Sequence, residues 1–247
     1  MADYSKNGKS RRQPAALLEE KERARKKKFD LGLQDAWFLG LGDGKSYGLL
    51  NQPNAVVNTS FLPDKIKNMT YTEKRELVIA ELNAALAGIN PDQVGALIDA
   101  LESAEKVFFI GVGRVMFSLQ AIAKRLKHIG FDTYVVGETT EPAITDRDLL
   151  IVGSGSGSTL VPSGIAKKAK SFGAKVAHIG CVPENPITPI TDVFVRIPCK
   201  NKKVMDDVVS SRQPMTTLFE QSLLLLGDIV TIMILEKRGV EVNEDMW

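Results

Sequence analysis

Cysteine and histidine are scarce in this chain, with two of each among 247 residues. Cys181 and Cys199 lack the spacing of metal ligands and cannot form a disulfide framework, so both are expected to be reduced and structural, in keeping with a cytoplasmic protein. No metal site is expected. Aromatic residues make up only 6% and none interleave with the basic runs, which argues against nucleic-acid recognition. No Gly-Lys-Ser or Gly-Lys-Thr follows a glycine-rich turn, which excludes a P-loop. Membrane-length apolar runs are missing too, since the longest, around Leu223 to Leu235, is interrupted by Gly227 and Asp228. The N-terminus has no signal-peptide core. Net charge is small, +2, but uneven: residues 1–28 hold ten Lys/Arg against four Asp/Glu. That stretch reads as a solvated polar arm, with contact to an acidic surface as the alternative.

Residues 29–70 combine apolar pairs with many Gly, Asn and Pro, as in Trp37 to Gly44 and Asn51 to Pro63. They are expected to form an irregular extension, so that residues 1–70 stand apart from a regular domain over 71–247. Thr72 is expected to cap a first helix, with Glu76 as its capping-box partner, and Asn90-Pro91 to open a second. Short Val- and Ile-rich strands follow near 107–110, 133–136, 149–152, 175–179 and 193–197, alternating with helices over 115–129 and 160–172. Continuous apolar strands alternating with helices predict an α/β fold, with a parallel sheet covered on both faces. A last helix over 215–237 is apolar around its whole circumference, which predicts a subunit interface.

Two strand ends carry the candidate chemistry. The first strand runs into Gly111-Val112-Gly113-Arg114, and the third into Gly153-Ser154-Gly155-Ser156-Gly157-Ser158-Thr159. Glycines let the backbone approach an anion, hydroxyls donate to its oxygens, and the following helix supplies N–H groups. Ser154, Gly155, Ser156, Gly157 and Thr159 are therefore the expected phosphate cradle. A dinucleotide site is the rival, with Glu138 placed where a ribose-binding acid would end the second strand. Met116 stands where that fingerprint needs its third glycine, and a second hydroxyl-rich turn has no place in it.

Together with Ala123 to Phe131, Val136-Gly137-Glu138-Thr139 and Gln213-Pro214-Met215-Thr216-Thr217-Leu218-Phe219-Glu220, these turns make the chain resemble the SIS (sugar isomerase) domain family, in particular its 6-phospho-3-hexuloisomerase branch. The resemblance implies a five-stranded parallel sheet of flavodoxin-like order. It also implies a homotetramer with active sites between subunits, and cofactor-free interconversion of 3-hexulose 6-phosphate and fructose 6-phosphate. Substrate contacts are implied for Gly113, Arg114 and Glu138 beside the cradle. The chain departs from the family where Val115 and Met116 replace a Ser-Gly pair, expected to crowd the ligand side, and where Ser158 replaces Glu or Arg. The family's His-containing tail has no counterpart up to Trp247.

Moving a carbonyl along a sugar requires a base beside the reacting carbon. Glu220, near the start of an apolar helix, is the candidate base, although a Glu there also suits the positive end of the helix dipole. His128 ends its helix, where a cation complements the dipole; the resemblance implies an acid/base role instead. Arg114 holds a ligand oxygen or caps its loop, and His178, inside a strand, reads as structural. The competing function is a sugar-phosphate sensor that binds without catalysis.

Overall fold

A computed structural model of the chain describes residues 68–200 and 207–240. The arm and extension expected over residues 1–70 lie outside the described residues, apart from 68–70.

The first helix among the described residues, α1 (Tyr71–Ala87), is capped two residues earlier than expected. Thr70 Oγ1 accepts from the Glu73 N–H (3.3 Å), and Glu73 Oε2 accepts in return from the Thr70 N–H (2.7 Å). A capping box needs its acid three residues on, and 70 and 73 have that spacing whereas 72 and 76 do not. In α2 (Pro91–Ser103), Asn90 Oδ1 accepts from the Asp92 N–H and Pro91 takes the first helical position, as expected.

From there strand and helix alternate: β1 (Val107–Ile110), α3 (Arg114–His128), β2 (Thr133–Val135), β3 (Leu149–Gly153), α4 (Leu160–Ser171), β4 (Lys175–Gly180), a 3₁₀ turn (Thr188–Ile190), β5 (Val193–Arg196) and α5 (Thr217–Lys237). The five strands are parallel in the order β2-β1-β3-β4-β5, the flavodoxin-like order expected. From β1 the chain steps outward to β2, then returns to the other side of β1 and proceeds through β3, β4 and β5. Right-handed crossovers in opposite directions place α3 and α4 on opposite faces. They also open a crevice between the C-terminal ends of β1 and β3, the switch point where such sheets bind ligands. Both glycine-rich turns leave the sheet there, because Ile110 pairs with Val152 and the next residues are Gly111 and Gly153.

Contrary to the expectation from Gly227 and Asp228, helix α5 is apolar and long enough to cross a membrane, but most of it is buried inside the domain, where it packs on α1 and α3. Its remaining exposed apolar groups are Ile229, Ile232 and Met233. The crossing with α3 depends on Gly227, where a Cβ would lie 2.3 Å from Ile122 Cγ1. Gly227→Ala is therefore expected to lose about 1–3 kcal/mol of stability through overpacking, despite the better helix propensity of Ala. Gly164→Ala, in α4 with nothing within 4 Å, should instead gain about 0.5–1 kcal/mol. Urea unfolding of the two variants checks both signs.

Candidate active site

The turn after β3 keeps the expected strand–cradle–helix form, but its hydroxyls have divided roles. Ser154 continues the strand and is buried; its Oγ accepts from the Gly157 N–H (3.1 Å) and lies 3.4 Å from Thr159 Oγ1. It shapes the loop from within. Ser156, half-buried, accepts from both the N–H (3.3 Å) and the hydroxyl (2.9 Å) of Ser158, so its own proton is left to donate outward. Gly157 has φ +62°, and a Cβ there would fall 2.2 Å from the Asn185 side chain, which closes over it. Thr159 precedes α4 without making a side-chain cap.

The start of α5 is seated against this cradle. A Cβ on Gly155 would lie 3.7 Å from the ring of Phe219, the residue before Glu220. Met215, at φ +54°, turns the chain into the helix. Glu220 is buried, and its carboxylate is held at both oxygens: Thr216 Oγ1 donates to Oε1 (2.8 Å), and Arg114 Nη1 lies 3.2 Å from Oε2. The Arg114 contact is an ion pair without hydrogen-bond alignment, so Oε2 is a buried carboxylate oxygen with no hydrogen bond. Arg114 Nη1 also reaches Thr217 Oγ1 (3.3 Å), and Ser118 Oγ donates to the Glu220 carbonyl (2.8 Å). Arg114 thus ties the turn after β1 to the start of α5.

Two further groups, which sequence reasoning did not place at the site, support it from behind. Buried Glu81 of α1 accepts from Ser211 Oγ (2.6 Å), the Arg212 N–H (2.8 Å) and Gln213 Nε2 (3.0 Å), pinning the segment that leads to Met215. His178 of β4, fully buried, donates from Nε2 to the Ser154 carbonyl (2.8 Å). Burial pushes its pKa down to about 4, against the smaller opposing effect of that hydrogen bond. The unfolded chain takes up this proton near pH 6.5 and the folded protein resists it. His178 therefore contributes stability that is fully present above pH 6.5 and lost as pH falls towards 4, about 3 kcal/mol in all. Urea unfolding at pH 7 and pH 4 should show this loss in the parent and not in His178→Leu.

The remaining sequence candidates fall in different places. Gly113, at φ +59°, makes the turn that admits Arg114 to α3. Glu138 is exposed at the end of β2, bordering the turn after β1 and one strand removed from the cradle. His128 is not brought to this chain's cradle at all. It ends α3, whose first residue is Arg114, and fourteen residues of helix span about 21 Å. It is exposed, with Arg125 and Lys127 in the same basic last turn. The expected crowding of the ligand side is corrected for Met116. Met116 is buried in the core, and Val115 packs down onto the sheet, where a Cβ on Gly111 or Gly153 would lie 3.1 or 2.9 Å from its Cγ1.

Residues 100–225 match the SIS domain family model, and this span contains both turns, Arg114 and Glu220. The chain belongs to the SIS domain family. This SIS protein is 36% identical over 179 residues to a 3-hexulose-6-phosphate isomerase of Bacillus subtilis, covering 72% of this chain and 96% of that one. It is 34% identical over 183 residues to a 3-hexulose-6-phosphate isomerase of Mycobacterium gastri, covering 74% and 91%. Among solved structures it superposes, with TM-score 0.59 and 32% identity, on a Methanococcus jannaschii protein whose structure infers a molecular function of 3-hexulose-6-phosphate isomerase, covering 68% of this chain and 93% of that one.

Proposed function

We propose that this SIS protein is a sugar-phosphate isomerase that interconverts 3-hexulose 6-phosphate and fructose 6-phosphate. The observation that carries this reading is the seating of a buried carboxylate, Glu220, beside a hydroxyl-rich cradle at the switch point of the sheet. The named relatives supply the substrate class. Ser156, Thr159 and the start of α4 hold the phosphate, on the edge of a loop shaped by Ser154, Gly155 and Gly157. Glu220 Oε2 then takes the proton from the carbon beside the carbonyl. Starting from 3-hexulose 6-phosphate, the C-2 proton leaves, an enediol forms across C-2 and C-3, and a proton returns to C-3. The hydroxyl proton moves from O-2 to O-3, so atoms and electrons balance within one molecule. Gly113 and Arg114 line the substrate side, where the guanidinium faces negative charge developing on the enediol oxygens. Glu138 contacts the sugar from the β2 edge.

The enzyme is a cytoplasmic homotetramer in this reading, with no cofactor in the step. Because His128 stands at the far end of α3, its acid/base role requires a second copy of the chain to present it to this site. The apolar groups left exposed on α5 support such an assembly. The decisive experiment follows fructose 6-phosphate by NMR in D2O with the enzyme. Deuterium should enter at C-3 and not at C-1, while sedimentation shows an oligomer at micromolar concentration. Binding of fructose 6-phosphate with no exchange at C-3 would overturn the isomerase reading in favour of a sensor.

A further inference from the structure

We infer that His178 is a positioning residue for the phosphate cradle, its Nε2–H holding the Ser154 carbonyl where the β3–β4 ladder ends. The inference rests on the cradle's role in the isomerase reading and assigns the residue that fixes its shape.

The need for such a donor follows from the hydrogen bonds around Ser154. Its N–H donates to the Ile179 carbonyl (3.1 Å), as the next rung of a parallel ladder should. A regular ladder would then bring the Cys181 N–H to the Ser154 carbonyl. The Cys181 N–H goes instead to the Gly155 carbonyl (2.9 Å), one residue further, because the chain is already turning into the cradle. The Ser154 carbonyl loses its strand donor at that point, and the His178 ring supplies the replacement at 2.8 Å. The Gly157 N–H adds a longer contact of 3.3 Å.

Gly180 keeps the path open. A Cβ at that position would lie 2.5 Å from His178 Nε2 and 2.6 Å from the Ser154 carbonyl oxygen. A carbonyl only accepts, so Nε2 carries the proton and Nδ1 is left bare, and Nδ1 has no hydrogen-bond partner. An aliphatic side chain would fill this buried position without stranding a polar atom, so packing alone does not account for an imidazole. Burial also keeps the ring neutral at physiological pH, with its single donor committed to Ser154.

The consequence for the ligand comes through the peptide between Ser154 and Gly155. With its carbonyl held towards β4, the peptide cannot rotate to aim that oxygen at the crevice, where it would repel phosphate oxygens. Ser154 Oγ in turn holds the Gly157 N–H and neighbours Thr159, so the anchor reaches the rest of the loop.

Three variants test this: His178→Leu removes the donor, His178→Gln restores an N–H at similar reach, and Gly180→Ala blocks the bond while keeping the imidazole. Amide hydrogen exchange of residues 153–159 is measured in the ligand-free proteins, alongside KM and kcat for fructose 6-phosphate. In His178→Leu and Gly180→Ala, exchange in this segment should rise about tenfold while β1 stays protected. KM should rise about tenfold or more with kcat nearly unchanged, and His178→Gln should return both towards the parent. Parent-like exchange and KM in His178→Leu would overturn the inference, as would loss of kcat with KM unmoved or failure of His178→Gln to restore. If the parent binds fructose 6-phosphate without turning it over, the isomerase reading fails. The segment's exchange and the dissociation constant from calorimetry then decide the role of His178.

Discussion

Glu220→Gln is expected to slow deuterium entry at C-3 of fructose 6-phosphate by about 10²–10⁴-fold while leaving its affinity nearly unchanged. The amide keeps the shape of the carboxylate and can still receive the Thr216 hydroxyl at its oxygen. What it cannot do is accept a proton at the position of Oε2, the buried oxygen that faces Arg114 without a hydrogen bond. A helix-dipole role for Glu220 makes a different prediction, a loss of about 0.3–1 kcal/mol of stability with exchange intact. Glu220 is also buried and ion-paired, so part of any stability change will come from leaving Arg114 without its partner. The exchange rate per folded enzyme separates the two roles, because neither stability effect reaches it. Parent-rate exchange in Glu220→Gln would remove this residue from the mechanism.

The sheet and its switch point were legible in the sequence because they depend on local signals. Short apolar strands, glycine-rich turns at two of their ends and the handedness of crossovers fix which turns share a crevice. The placement of α5 was legible in outline, since an all-apolar helix must be buried. Other features had a readable signal that pointed elsewhere. Met116 falls in step with Leu119, Ala123 and Leu126, the buried stripe of α3, so its inward direction follows from helical spacing. The distance of His128 from the cradle follows from the length of the helix that begins at Arg114. The roles of His178, Glu81 and Asn185 were not legible. Each acts across a long sequence separation, His178 through a ladder that breaks between β3 and β4, Glu81 on a loop 130 residues away, and Asn185 by closing over Gly157. No local pattern encodes such contacts.

The cradle hydroxyls likewise differ in role. Alternating Ser and Gly in the sequence does not say which hydroxyls face the ligand, and the fold separates them. Ser156→Ala removes a hydroxyl whose proton is free to meet a charged phosphate oxygen, worth about 1.5–3 kcal/mol. Ser154→Ala acts indirectly, by taking away the nearer of the two acceptors of the Gly157 N–H and so loosening the turn at φ +62°. With about 0.5–1.5 kcal/mol more for that neutral bond, the double variant should bind fructose 6-phosphate about 30- to 2,000-fold more weakly, the equivalent of roughly 2–4.5 kcal/mol. Ser171→Ala, at the far end of α4 where the hydroxyl only meets the Lys168 carbonyl, should bind as the parent does. Calorimetric titration of the variants measures these affinities directly. Hydrogen exchange at the Gly157 amide then distinguishes the two causes, because Ser154→Ala takes away its nearer acceptor and should raise it, whereas Ser156→Ala frees only the Ser158 amide. Undiminished affinity in the double variant would place the phosphate elsewhere and leave the turn after β3 a structural feature of the sheet.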